Sequence, residues 1–442
     1  MRKNVSDSGE GECFMKKTGR ILVSVLLLVA LAVNTTGCNL TSKGAAIKAS
    51  NLMSGVTPNK VSGKTPDSAF TKNMADLSLA LFKESIVDKQ ASRNQKNTLI
   101  SPLSIALALT MTANGADNET RAQLEALLGG GISIDDLNEY FYSYVKGLPS
   151  EEKAKLGIAN SIWFRDDEGR LKVDPDFLQK NADYYGASAY GSAFDEQTLK
   201  DINNWVSKNT DGMIKEVLDE IDENAVLYLI NAIVFDAEWQ KVYKKNDIHE
   251  EDFTDIDGKT QRVDFMYSDE YLYLDDGEAT GFIKPYAGGA YSFVALLPNE
   301  DVNIYDYIDS LDGAGFLSTL ENAEHILVNA SMPEFEFEYE IEMKDILSEL
   351  GIPDAFDSGK ANFSRMATSS LGDISIGKVL HNTFISVDEL GTRAGAVTVV
   401  EMNDVGAAMD TKTVRLDRPF VFMIVDNSTD LPIFIGTLMT VL

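Results

Sequence analysis

From Phe70 to Leu442 the chain runs without a Pro- or Gly-rich linker and without an internal repeat of fixed period. A stretch that long with no break in composition closes on itself as one fold, because domain boundaries fall in exposed linkers that few contacts cross. Its apolar residues come in blocks. Phe70, Met74, Leu77 and Leu81 recur at helical spacing, and Leu124, Leu127 and Leu128 end before Gly129, a helix stop. Later, Val226 to Phe235 is a continuous apolar run, and Phe335, Phe337 and Tyr339 alternate with glutamates. Residues 420–425 and 433–438 flank a polar turn and read as a hairpin. The blocks lack the regular alternation of a doubly wound sheet, so the fold class is α+β.

Composition decides what such a body can bind. Hydrophobic residues make up 44% and charged residues 24%, enough to bury a sizeable core. Lysine and arginine total 39 against 69 aspartates and glutamates, a formal charge of -30 that repels phosphate backbones and anionic headgroups. Nucleic acid is excluded as a partner, and the acidic residues, spread along the chain, read as a solvated surface. Only Cys13 and Cys38 are present, both ahead of the body, so its core is held by packing without a disulfide or a cysteine metal site. No metal or cofactor is expected.

The N-terminus reads as an address. Met15, Lys16, Lys17 and Arg20 precede thirteen apolar-dominated residues, Ile21–Val33, followed by Thr35-Thr36-Gly37-Cys38. This is a charged region, an apolar region and a small-residue cleavage site, too short to span a membrane comfortably. Met15 is an alternative start. The segment resembles a lipoprotein signal, which implies a diacylglyceryl thioether on Cys38; Thr35 stands where leucine is usual, which leaves plain secretion open. Residues 1–37 are thus read as signal, 38–68 as a flexible tether rich in Ser, Thr, Lys, Gly and Asn, and 69–442 as the domain.

Catalytic patterns are missing. His249, His325 and His381 are the available imidazoles, and no G-x-S-x-G, H-E-x-x-H or P-loop pattern occurs. The Ser-x-x-Lys spacings at Ser143/Lys146 and Ser150/Lys153 arise by chance at this length and lack their companion motifs. The chain is read as a protein that is not an enzyme.

From Asn97 the sequence NTLISPLSIALALTMTANGA resembles the serpin segment that leads from a strand into the buried second helix. INNWVSKNT (202–210), LINAIVFDAEW (229–239), PEFEF (333–337), LGIPDAF (350–356), SVDELGT (386–392), RPFVF (418–422) and FIG (434–436) follow in serpin order. The resemblance runs from about Phe70 to Leu442 and identifies the chain as a member of that family, a bacterial and lipoprotein-anchored one. It implies three β-sheets, eight or nine helices, a central sheet of five strands able to accept a sixth, and an exposed reactive loop between Glu389 and about Arg415. A serine protease that attacks the loop would be acylated and dragged across the body as the loop inserts. Ser101, Ser104, Asn231 and His381 match the shutter beneath the sheet, and Trp239 the breach where the loop first enters.

The loop has the chemistry for insertion. Thr392, Ala394, Ala396 and Thr398 form one small face for the packed interior, while Arg393, Gly395, Val397 and Val399 lie on the other, where the charge stays in water. Gly391, next to Glu389, is expected to supply backbone freedom at the turn into the sheet. Leu390 and Arg393 depart from the family pattern off the buried face. Counting from Gly391 sets the scissile bond at Val405-Gly406, the favoured position, and counting back from Pro419 sets it at Ala408-Met409. Small and apolar residues there suit an elastase- or subtilisin-like protease; Lys412 and Arg415, near the returning strand, make a trypsin-like target the second choice. An inhibitor acting as a monomer is the reading, and a serpin fold cleaved without trapping, a ligand carrier or chaperone, is the alternative.

Overall fold

The computed structural model describes residues 46–87, 97–166, 169–222, 225–370, 372–392 and 410–441. At its centre lies the helix Pro102–Ala113, all twelve residues of which are buried. With Leu, Ile, Ala and Met on every side it has no polar face to offer water, so it can only sit inside the fold. Ser101 starts it with extended backbone, its hydroxyl accepting the Ser104 amide, and Pro102 takes the first helical position, where no amide is needed.

This helix supports the central sheet. Its strands in chain order are β1 (Ser50–Asn51), β2 (Ala154–Arg165), β3 (Ser188–Ser192), β4 (Leu227–Glu238), β5 (Phe335–Glu342), β6 (Lys378–Val387) and β7 (Gly391–Thr392). Across the sheet they lie in the order β1, β3, β2, β4, β7, β6, β5. The apolar run in β4 is unbroken because both faces are covered. Leu227, Leu229 and Ile233 join the main core, while Tyr228, Ile230 and Ala232 pack with Ile202, Trp205 and Val206 of the helix Glu196–Asn209. Strand β5, at the edge, alternates instead: Phe335, Tyr339 and Ile341 point into the core while Glu336, Glu338 and Glu340 face water. Charges along an open edge discourage a second chain from pairing there.

A second sheet of nine strands includes the predicted hairpin, Phe420–Asp426 with Leu431–Leu438. Its turn is fastened by Asp426, whose carboxylate accepts from the Ser428 amide and hydroxyl and from the Thr429 hydroxyl. A two-stranded ribbon is the third sheet, and nine α-helices are present among the described residues. One helix stop moves by a residue: Gly129 is the last helical residue, and Gly130 takes the left-handed conformation, φ 55°.

The compact unit spans Gly44–Leu442. Residues 46–67, read from composition as part of a flexible tether, instead lie along the body. Ser50 and Asn51 pair with Gly191 and Tyr190 of β3. The buried Asp201 carboxylate accepts the amides of Lys48 and Ala49, at 2.8 and 2.6 Å. Further on, Asn59 donates to Asp183, and Lys64 pairs with Asp136. A polar segment with no apolar periodicity is fixed here by its backbone groups, which composition does not register. Cys13, Cys38 and the apolar run 21–33 lie outside the described residues.

Candidate functional site

The middle of the central sheet is split. Strands β4 and β6 run parallel and pair from Tyr228↔Lys378 to Ala232↔Asn382. At the other end β7 comes between them, Gly391 opposite Glu238, and Thr392 opposite both Ala237 and Val387. Residues 233–236 and 383–386 are therefore not paired with each other, and β7 starts a strand in the space they leave.

A tight turn, Asp388 to Gly391, leads into β7. The Asp388 amide donates to the Gly391 carbonyl at 3.0 Å, and the Asp388 carboxylate accepts the amides of Leu390 and Gly391 at 2.8 and 3.1 Å. Three carbonyls of the turn are held from outside. Trp239 Nε1 donates to the Asp388 carbonyl at 2.9 Å, the Tyr243 amide to Glu389 at 3.0 Å, and the Trp239 amide to Leu390 at 2.8 Å. Gly391 is required for closeness rather than for freedom: a Cβ there would stand 2.0 Å from the Ala237 carbonyl oxygen. Thr392 is 2% exposed, and its hydroxyl is hydrogen-bonded to the hydroxyl of Tyr286. Ala394, Gly395 and Ala396 lie outside the described residues, as do Val405, Gly406, Ala408 and Met409.

The four polar residues matched to the shutter meet at the paired end of the split. His381 lies opposite Asn231 across β6 and β4, and its Nε2 accepts the Ser101 amide at 2.9 Å. Ser104 donates its hydroxyl to Asn231 Oδ1, and Asn231 Nδ2 donates to the Ser104 carbonyl, at 2.9 Å, and to Asn160 Oδ1. The proton on His381 must then sit at Nδ1, which finds no partner among the described residues; Asn382 Oδ1 finds none either.

Burial pushes the His381 pKa down to about 3, so the ring is neutral at physiological pH. Unfolded, it takes up a proton near 6.5, and in the fold only near 3. The unfolded state therefore binds more protons in that window, and this residue makes stability fall as pH drops, by about 1.4 kcal/mol per unit. Glu334 works in the opposite sense. Burial and the carboxylates of Glu389, Asp264 and Asp388 push it up to about 7. Comparing urea unfolding of wild type and His381→Gln between pH 6.5 and 4 isolates the imidazole: the variant is expected to lose roughly 3 kcal/mol less over that range. Parallel stability curves would contradict this.

Known proteins share this fold. A family model described as "Serpin (serine protease inhibitor)" matches residues 72–441. The chain belongs to the serpin family. Mouse leukocyte elastase inhibitor A is 30% identical to it over 355 residues, which cover 77% of this chain and 92% of the relative. The crystal structure of tengpin, a thermophilic serpin, in its native state matches with a TM-score of 0.84 and 53% identity, over 89% of this chain and 99% of that one. Tengpin in its latent state matches less well, with a TM-score of 0.75 and 49% identity over 86% of this chain and all of that one. Serpins are protease inhibitors, and the three sheets and helices match their fold.

Sequence reading missed Asn160, Tyr286, Tyr243 and Asp388, which complete the hydrogen-bonded turn and the polar cluster. Asp388 lies inside the SVDELGT segment and is recognisable as a turn-former, since a short carboxylate can accept amides two and three residues ahead. Asn160 and Tyr286 carry no such local signal; each meets its partner across 71 or 106 residues of chain.

Proposed function

We propose that this serpin is an irreversible inhibitor that traps a serine protease as its acyl-enzyme and inserts the cleaved loop into the central sheet. The observation that carries the reading is the seated hinge: Gly391 and Thr392 already occupy the first two places of a strand between β4 and β6. Insertion continues from there by alternation. With Thr392 inward, Ala394, Ala396 and Thr398 take the inner positions, and Arg393 stays on the solvent side.

The chemistry belongs to the protease. Its serine oxygen attacks the carbonyl of the bait residue, the peptide bond breaks, and the new amine leaves with the C-terminal part of the loop, which continues into the strand Thr411–Arg415. The bait residue is then esterified to the protease. Insertion must outrun hydrolysis of that ester, so the inhibitor depends on a strand path free of unpaired charge. We place the scissile bond at Val405-Gly406 and the target among elastase- or subtilisin-like proteases, which read small apolar side chains. The name of the mouse relative, a leukocyte elastase inhibitor, supports that class. We further propose a bacterial protein that works as a monomer outside the cell, held to the membrane by a lipid on Cys38.

Incubation with subtilisin or elastase is expected to give an SDS-stable covalent complex and a C-terminal fragment that begins at Gly406, its mass fixing the bond. Recovery of fully active protease with cleaved serpin, and no complex at any ratio, would replace this reading with that of a carrier or chaperone.

A further inference from the structure

Lys284 is 1% exposed and lies in the strand Ala279–Pro285 of the second sheet. Its ammonium donates to Glu270 Oε1 at 2.8 Å, and the same oxygen accepts the Ser268 hydroxyl at 2.6 Å. Ion pairs this deep are exceptional, and a well-packed apolar pair of the same volume commonly serves stability as well or better. The surroundings suggest a more specific task. The ammonium nitrogen is 4.3 Å from the ring centre of Tyr243 and 5.2 Å from that of Trp239, and 3.4 Å from the carbonyl oxygen of Lys241 between them.

Trp239 and Tyr243 are the residues that hold the hinge carbonyls of Asp388, Glu389 and Leu390. Trp239 also stacks on Tyr286, rings 4.6 Å apart and 10° from parallel, and Tyr286 holds the Thr392 hydroxyl. One buried charge thus touches both ends and the middle of the segment that grips the hinge. An apolar side chain could fill the same space, but it could not attract two ring faces or bind the Lys241 carbonyl.

We propose that the Lys284–Glu270 pair is the positioning element that sets the 239–243 segment against the hinge, and so governs how readily the uncleaved loop moves. Burial lowers the ammonium pKa, but Tyr243 and Glu270 outweigh burial and hold it above the usual lysine value, so the ammonium stays charged at neutral pH. The consequence for trapping rests on the inhibitory reading; the contact with the hinge does not.

The test is amide hydrogen exchange on the full, uncleaved protein, comparing Trp239 and Tyr243 with reference amides of the strand Phe420–Asp426. In Lys284→Met/Glu270→Leu no charge is left unpaired. Exchange at 239 and 243 is expected to rise about tenfold relative to the reference amides, whereas Lys284→Arg keeps the wild-type ratio. If the double variant does not fold, Lys284→Met is read by the same ratio. An unchanged ratio, with both regions exchanging faster together or neither changing, reduces the pair to ordinary core packing and overturns the proposal. No protease enters this measurement, so failure to form a covalent complex would sink the inhibitory reading and leave this one standing.

Discussion

Thr392→Arg is expected to turn this serpin from a trap into a substrate. Thr392 is buried between β4 and β6 with its hydroxyl on Tyr286, and it is the first inward side chain of the strand that must form. A guanidinium there would put a charge where the Thr392 hydroxyl meets Tyr286, and burying it would cost several kcal/mol. Insertion slowed by about 3 kcal/mol is slowed roughly a hundredfold, long enough for water to release the ester. Titrating the variant against a fixed amount of subtilisin should then consume on the order of ten or more serpin molecules per protease silenced, in place of about one, with cleaved serpin as the main product. An undiminished yield of covalent complex from a folded variant would show that the inward position has no part in the race. Arg393 in the wild type sharpens the comparison, since in an inserted strand the same side chain one residue later would face the other way.

Cutting the loop within residues 393–409 with a protease that is not trapped is expected to raise the thermal midpoint by roughly 20 °C. The uncut sheet pairs β4 and β6 at one end only, leaving 233–236 and 383–386 without each other. A freed segment of about a dozen residues can pair along both. If it gains about ten hydrogen bonds worth roughly 1 kcal/mol each, the sum is near 10 kcal/mol, and each kcal/mol moves the midpoint of a large domain by about 2 °C. Scanning calorimetry before and after the cut measures the shift. Equal midpoints would mean that the native sheet stores nothing for the loop to release.

How far the sequence leads depends on whether a feature is local. The β4 run, the Phe335–Tyr339 alternation and the C-terminal hairpin are local patterns, and each formed the expected strand or strands, though β4 extends to Glu238. Ser101, Ser104, Asn231 and His381 were legible only through the resemblance to serpins, because nothing within a few residues of any of them foretells a partner more than a hundred positions away. The reading of residues 46–67 failed for the opposite reason. Composition described a segment free to move, yet its amides find Asp201 and the edge of β3, acceptors supplied by distant parts of the chain. Gly391 was expected to supply backbone freedom; its place in the fold shows closeness to the backbone of β4 instead.

Gly391 also limits how the protein can be re-engineered. Any side chain at that position would collide with the Ala237 carbonyl, and every alternative loop must begin from the same seat. If the loop inserts as proposed, libraries built to redirect specificity have to start beyond Thr392 and can vary the outward-facing and bait positions, while Gly391 and Thr392 stay constant.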